Sequence, residues 1–232
     1  GSLNFANKTI TVHHFNSNTT NTRLLDVPGA KLYLLGSSSI NGQQLTIESG
    51  MAELRMESTL ALDWNEVVWN GTLAIDQGEI TINGANNQFA KVDVDGSMTM
   101  GGSNHLGQLI VHGGSELALG NTTTQIIEDL ELNGALAAPI TISSAGSATL
   151  SLQQHELNCF DYLNISNVSV GGLGLINAGT NSTLANANGW AALPCSEVIF
   201  PDFEFRYACA DGLTEFYDKS TGPISSYQWN FE

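Results

Sequence analysis

The sequence has few basic residues. Seven Lys and Arg stand against 23 Asp and Glu, so the formal net charge is −16. Nucleic-acid binding depends on Lys and Arg that neutralise phosphates, and adsorption to anionic membranes depends on basic segments. We therefore expect neither as a partner. The acidic balance is compatible with a divalent cation such as Ca²⁺, or with simple repulsion that keeps a surface protein soluble. No pattern calls for another cofactor.

Long apolar runs are also missing. The sequence has no stretch of about 18 apolar residues, as a transmembrane helix would need, and no charged segment followed by an apolar one, as in a secretory signal. Apolar residues nevertheless make up 42% of the chain, enough for a continuous core. Most of the polarity comes from Asn, Ser, Thr and Gly, which suit the strands and turns of an extracellular β-protein.

A repeat runs through the first two thirds of the chain: apolar–x–apolar, a short link with Gly, then apolar–x–apolar. The six link glycines, from Gly29 to Gly134, are 21, 21, 25, 17 and 21 residues apart. Period-two alternation indicates half-buried strands, and a Gly between them lets the chain bend with positive φ. Stacked units of this kind predict an all-β, right-handed parallel β-helix with about 21 residues per coil. The alternative is an antiparallel sandwich with frequent turns.

Because side chains alternate along a strand, one position of the repeat is expected to point inward in successive coils. This position is expected to form aliphatic stacks, and its members are Val27, Ile47, Val94, Val111 and Leu132.

Residues 157–190 resemble the final coil of β-helical regions in very large secreted surface proteins of Bacteroidetes. In those regions a Cys-containing strand leads to an Ala-Gly-x-x-Ser turn and closes on Asn-x-Gly-Trp. The stretch 15–36 is similar to the coil that precedes it. The matching residues are Cys159, Asp161, Tyr162, Asn167, Ala178, Gly179, Ser182, Asn188, Gly189 and Trp190. The resemblance implies a β-helix over residues 1–195.

Residues 199–232 resemble the first part of a PKD domain, an immunoglobulin-like β-sandwich that needs about 80–100 residues to close its sheets. The resemblance implies an incomplete module over 196–232. Together the two resemblances imply a type IX-secreted, gliding-adhesin-like protein at the bacterial cell surface, whose partners are its own other modules and an extracellular polysaccharide or surface. The matching residues are Phe203, Phe205, Cys209, Phe216, Asp218, Ser220, Ser226, Tyr227, Trp229 and Phe231.

The sequence favours a non-enzymatic function. A polysaccharide lyase needs a basic residue beside carboxylates, yet no Lys or Arg occurs between Lys91 and Arg206, and none of the earlier ones is predicted to lie beside a carboxylate pair. A hydrolase needs converging carboxylates, whereas Asp93 and Asp95 are expected on a solvated strand face. We expect no cleavage of pectin or alginate. His13 and His14 point to opposite faces of a strand, which is poor geometry for a metal.

Two tryptophans offer the one candidate ligand site. Trp64 and Trp69 lie in a single loop-to-strand segment and could stack on sugar rings; the alternative is that they fill a wide part of the core. The sequence therefore predicts a structural or adhesive spacer. The alternatives are a carbohydrate-binding β-helix that uses these tryptophans, and a non-catalytic part of a polysaccharide lyase or hydrolase.

The three cysteines are Cys159, Cys195 and Cys209. An odd number indicates one bridge and one remaining thiol, or a partner elsewhere. A bridge between Cys159 and Cys195 would attach the exit strand to the end of the β-helix, which needs a cap. The PKD resemblance places Cys209 in the next module. We predict the 159–195 disulfide, with 195–209 pairing and three free thiols as alternatives.

Overall fold

The computed structural model describes residues 2–19, 21–57, 59–153, 157–173, 175–195, 203–206 and 215–220. The described chain is all-β and forms a parallel β-solenoid of about eight turns, with about 21 residues per turn. The predicted stack of parallel coils is therefore confirmed, and the antiparallel sandwich is not formed.

The strands are numbered in chain order. The first turns use short strands: β1 (Ser2–Asn4), β2 (Thr9–Val12), β3 (Phe15–Ser17), β4 (Arg23–Asp26), β5 (Lys31–Leu34), β6 (Ser38–Asn41), β7 (Leu45–Glu48), β8 (Glu53–Met56) and β9 (Leu60–Asn65). The middle turns use longer ones: β10 (Val68–Ile82), β11 (Gln88–Met100), β12 (Asn104–His112), β13 (Glu116–Leu119), β14 (Thr124–Asn133) and β15 (Ile140–Leu152). The last turns contain β16 (Leu157–Cys159), β17 (Leu163–Gly172), β18 (Leu175–Asn177), β19 (Thr183–Ala185) and β20 (Trp190–Ala191).

Each turn passes through three faces. The first face begins with β1, β4 and β7, the second with β2, β5 and β8, and the third with β3, β6 and β9. Strand β10 runs through all three: Asn70 N donates to Ser49 Oγ (2.8 Å) beside β7, Thr72–Ile75 pairs with β8, and Ile80–Ile82 pairs with β9. Because the bends of β10 are bulges within one strand, the sequence pattern of separate short strands is lost there.

The aliphatic core is built from columns of inward side chains. Val94, Val111 and Leu132 share one column on the second face, as predicted, and it continues through Ile75, Met56 and Leu34. All six residues are buried. Val27 and Ile47 also point inward, as predicted, but they do not belong to this column. Both are buried, but Ile47 pairs with Leu25 on the first face, and Val27 lies just after β4.

The spacing of the glycines has a different meaning from the one predicted. Gly71 lies between the first and second faces, whereas Gly96 lies between the second and third, because Val92 pairs with Leu73. The 25-residue spacing arises because the glycine lies at one corner in one turn and at the following corner in the next turn. Positive φ is not the common reason either, since Gly29 has φ of 65° but Gly71 and Gly96 do not. A Cβ on Gly71 would lie 2.1 Å from the Ala52 carbonyl oxygen of the adjacent turn.

A short polar ladder interrupts the apolar core on the first face. Asn87, Asn104 and Gln125 are each at most 4% exposed and occupy successive turns. Asn87 Nδ2 donates to Asn104 Oδ1 at 2.9 Å, and Asn104 Nδ2 donates to Gln125 Oε1 at 3.3 Å. Backbone groups satisfy the ends, because Gln125 Nε2 donates to the Gly102 carbonyl at 2.8 Å and Asn87 Nδ2 to the Trp64 carbonyl at 2.9 Å. Buried amides of this kind are stable only when they are paired.

Beyond the solenoid, β21 (Phe203–Arg206) and β22 (Glu215–Asp218) form an antiparallel hairpin, in which Phe205 pairs with Phe216. The rest of the segment that resembles a PKD domain, including Cys209 and Trp229, lies outside the described residues. The structure thus contains two paired strands in this segment and no sandwich within the described residues.

Candidate functional site

The two tryptophans of the predicted stacking platform lie inside the solenoid. Trp64 and Trp69 are each 2% exposed. Trp64 Nε1 donates to Ser38 Oγ at 2.9 Å, Trp69 Nε1 donates to the Thr72 carbonyl at 3.2 Å, and the Trp64 ring lies 6.3 Å from that of Phe89, centroid to centroid. The platform predicted for sugar rings is therefore not formed. The indoles fill the wide core of the early turns, beside an apolar cavity of about 50 Å³.

The sulfur atoms of Cys159 and Cys195 lie at disulfide distance, 2.08 Å, with Cα atoms 5.6 Å apart. The predicted 159–195 pairing is thus present. Asn177 reinforces it, because its Nδ2 donates to the Leu193 carbonyl (2.8 Å) and its Oδ1 accepts from Leu193 N (2.8 Å). These contacts attach the chain after β20 to the last turn of the solenoid.

Asp161 organises a turn in the same cap. Its Oδ1 accepts from Tyr162 N (3.0 Å) and Asn181 N (2.9 Å), and its Oδ2 accepts from Asn181 Nδ2 (2.7 Å). Burial raises the pKa of Asp161, but these hydrogen bonds together outweigh it, so the pKa lies below the ordinary value for Asp. The carboxylate thus holds the Gly179–Asn181 turn against the preceding turn of the solenoid.

Several carboxylates of the second face are paired with cations in the early turns. Arg55 lies between Glu53, whose Oε1 accepts from Nε at 2.8 Å, and Asp76 of the next turn. The expectation that no basic residue lies beside a carboxylate pair is wrong here, because stacking brings residues 21 apart together. The hydrogen bond to Glu53 is the main reason that the pKa of Arg55 is raised, against the opposing effect of burial.

Asp93 is paired in a similar way, with His112 Nε2 at 2.8 Å and Lys91 Nζ at 3.7 Å. Asp95, its neighbour on β11, is exposed. In the described part of the chain, no three His, Cys, Asp or Glu residues are grouped so that they could hold a metal ion. In the early turns the second face thus carries ion pairs around Arg55 and Asp93.

The first face carries a concave surface that the sequence reasoning missed. Two depressions, of about 170 Å³ and 280 Å³, lie on either side of Gln88 and His105. Ala90, Gly107 and Glu128 are among the residues that line the first one. The signal in the sequence is a pair of small residues, Ala90 and Gly107, at outward positions of successive turns. The glycine spacing predicted a different register between these turns, so the pair could not be recognised.

Comparison with known proteins found no matching protein-family model and no significant match among curated proteins or solved structures. Within the described ranges, none of the elements is a helix of the length and apolarity needed to cross a membrane. The functional argument therefore rests on the fold and the surfaces described above.

Proposed function

We propose that this chain is a structural module of a large secreted cell-surface protein, in which the solenoid acts as a rigid, adhesin-like spacer. The observation that carries the proposal is the stack of described turns, with an apolar core from Leu25 to Trp190 and a cap attached by the Cys159–Cys195 disulfide. About eight turns, at about 4.8 Å each, give a rod of roughly 40 Å.

The paired charges of the second face support this function. A catalytic or metal site requires charged groups that are free to bind a substrate or an ion. Arg55 and Asp93, by contrast, form ion pairs within the chain. The disulfide supports an oxidising, extracytoplasmic location. The hairpin β21–β22 supports a second module after the solenoid, which we propose, from the sequence resemblance, to be of the PKD type in a type IX-secreted protein.

The burial of Trp64 and Trp69 removes the observation that favoured sugar binding through these residues. The spacer is the function that the stacked turns and their cap support best.

Rigidity tests the spacer directly. The whole chain is placed between a donor and an acceptor fluorescent protein, and single-molecule energy transfer is recorded. We expect one narrow distribution that does not change between low and high salt. The control is a Gly/Ser linker of the same number of residues, which behaves as a flexible coil. A distribution as broad as that of the linker would rule out a rigid spacer.

A further inference from the structure

We propose that the two depressions around Gln88 and His105 form a binding site for an uncharged oligosaccharide. Their volumes, about 170 Å³ and 280 Å³, together fall in the range of small-molecule sites, about 300–1,000 Å³. We refer to them together as the Gln88 groove. The proposal does not depend on the spacer function, because a rod can carry a binding site or lack one.

Three amide side chains of the Gln88 groove differ from the Gln108 amide of the second face because they make no hydrogen bond with the described residues. Within the described part of the chain, the side-chain amides of Asn70, Asn86 and Gln88 make no hydrogen bond, although all three residues line the groove. On the second face, by contrast, Gln108 Nε2 donates to both Asp129 and Glu131 at 2.8 Å. The groove thus presents amide donors and acceptors whose partners are not supplied by the chain.

His105 lines both depressions and stands next to Glu128. Its Nε2 is shielded from solvent and has no hydrogen-bond partner among the described residues. Glu128 Oε1 lies 3.0 Å away as a charge partner, but its direction does not satisfy the geometry of a hydrogen bond. Glu128 is itself exposed, so the remaining lone pairs of its carboxylate are open to a ligand hydroxyl, which donates a hydrogen bond.

The chemistry of the lining defines the ligand class. Amides, the Thr124 hydroxyl and the Glu128 carboxylate match the alternating donors and acceptors of vicinal diols, and the partly exposed Ile126 offers an apolar surface to ring C–H groups. No Lys or Arg lines the groove, so a uronate or sulfate would meet Glu128 without a counter-charge. An uncharged sugar is therefore favoured over an acidic one.

A peptide is less suited to this surface. Strand addition needs unpaired backbone groups, but the first-face segments of β11 and β12 are hydrogen-bonded to the turns on both sides. A peptide would have to be held by side chains alone, whereas an oligosaccharide presents hydroxyl groups along its whole length.

Titration calorimetry with the full chain tests the proposal. The probes are cellohexaose, xylohexaose, mannohexaose, laminarihexaose and chitohexaose, with oligogalacturonate as the acidic comparison. We expect at least one uncharged hexasaccharide to bind with a Kd of about 1 mM or tighter, and oligogalacturonate not to bind.

Two variants locate the binding. Ala90→Tyr places a large side chain in the groove and Gln88→Ala removes the shared amide, so each is expected to weaken binding at least tenfold. Ala61→Tyr is the matched control, because Ala61 is also an exposed outward alanine within a strand, β9 on the third face; it should leave the Kd unchanged. The proposal is overturned if no uncharged probe binds, if oligogalacturonate or a random peptide pool binds in the groove instead, or if folded Ala90→Tyr binds like the unaltered chain.

Discussion

At the residue scale, the corner glycines show how closely successive turns approach each other. Gly50 and Gly71 occupy the same corner in consecutive turns, yet their surroundings differ. A Cβ on Gly50 would meet nothing within 4 Å, whereas a Cβ on Gly71 would lie 2.1 Å from the Ala52 carbonyl oxygen. Neither has a positive φ, so the requirement at Gly71 comes from the neighbouring turn and not from its own backbone.

This difference gives a matched pair of variants. Gly71→Ala should lower the free energy of unfolding by about 2 kcal/mol or more, because the backbone must shift to relieve the overlap. Gly50→Ala should be neutral or slightly stabilising, since alanine restricts the unfolded chain. Urea denaturation of both variants measures the effect. Equal destabilisation would show that both glycines serve the conformation of the turn.

The alternation of inward and outward side chains along β11 gives a second prediction. Val94 is fully buried in the second-face column, so Val94→Asp places an unpaired carboxylate in an aliphatic core and should unfold the middle turns. Asp93→Ala removes only surface pairs with Lys91 and His112 and should cost about 1 kcal/mol or less. Thermal melts decide; the reverse order would mean that the strand is shifted by one residue.

At the scale of elements, the first-face ladder is a network whose members depend on one another. Asn104 lies between Asn87 and Gln125, so Asn104→Ala leaves buried polar groups without partners on both sides. We expect a loss of about 2–3 kcal/mol. Asn83→Ala is the control, because Asn83 bonds only to Asp63 on the surface (2.9 Å); it should cost less than about 1 kcal/mol. Similar losses in chemical denaturation would contradict the role of the ladder.

The cap should lose stability in acid. Because the pKa of Asp161 is lower in the folded chain than in the unfolded one, its ionised form favours folding. This contribution is present above the unfolded value, about 3.9, and is lost as the pH falls through the folded pKa. Melting temperatures at pH 7 and pH 2.5 check this. Asp161→Asn should be less stable than the unaltered chain at pH 7 and nearly equal to it at pH 2.5.

Asp95→Asn is the matched control for this experiment, since Asp95 is exposed and forms no hydrogen bond or ion pair with the described residues. It should change the melting temperature little at either pH. A deficit of Asp161→Asn that persists unchanged at pH 2.5 would show that the side chain acts through its shape and not through its charge.

At the scale of the whole molecule, the charge is distributed unevenly along the axis. Residues 92–205 contain no Lys or Arg, although the chain as a whole carries a net charge of −16. The later turns therefore lack the cations that neutralise Glu53 and Asp76 in the earlier ones. Repulsion among the remaining carboxylates should oppose the compact state.

Salt provides the test. Raising NaCl from about 20 mM to 500 mM shortens the Debye length to a few ångströms and screens this repulsion. We expect the melting temperature to rise by about 2 °C or more, as measured by differential scanning calorimetry. A fall would mean that attractive pairs such as Arg55–Asp76 contribute more than the repulsion does.

The sequence alone determined the kind of fold, because the alternation around Val94 and Val111 depends only on local strand geometry and burial. It also favoured Cys195 as the partner of Cys159, since a cap brings the end of one coil close to the chain that leaves it. Tertiary structure alone decided which strand segments share a face. Glycine can occupy the corner before the second face, as Gly71 does, or the corner after it, as Gly96 does. The spacing between these two glycines therefore does not reveal the register between turns. For the same reason, the pairing of Arg55 with Asp76 and the meeting of Gln88, His105 and Glu128 arise from turn-to-turn stacking, which brings together residues about 20 positions apart.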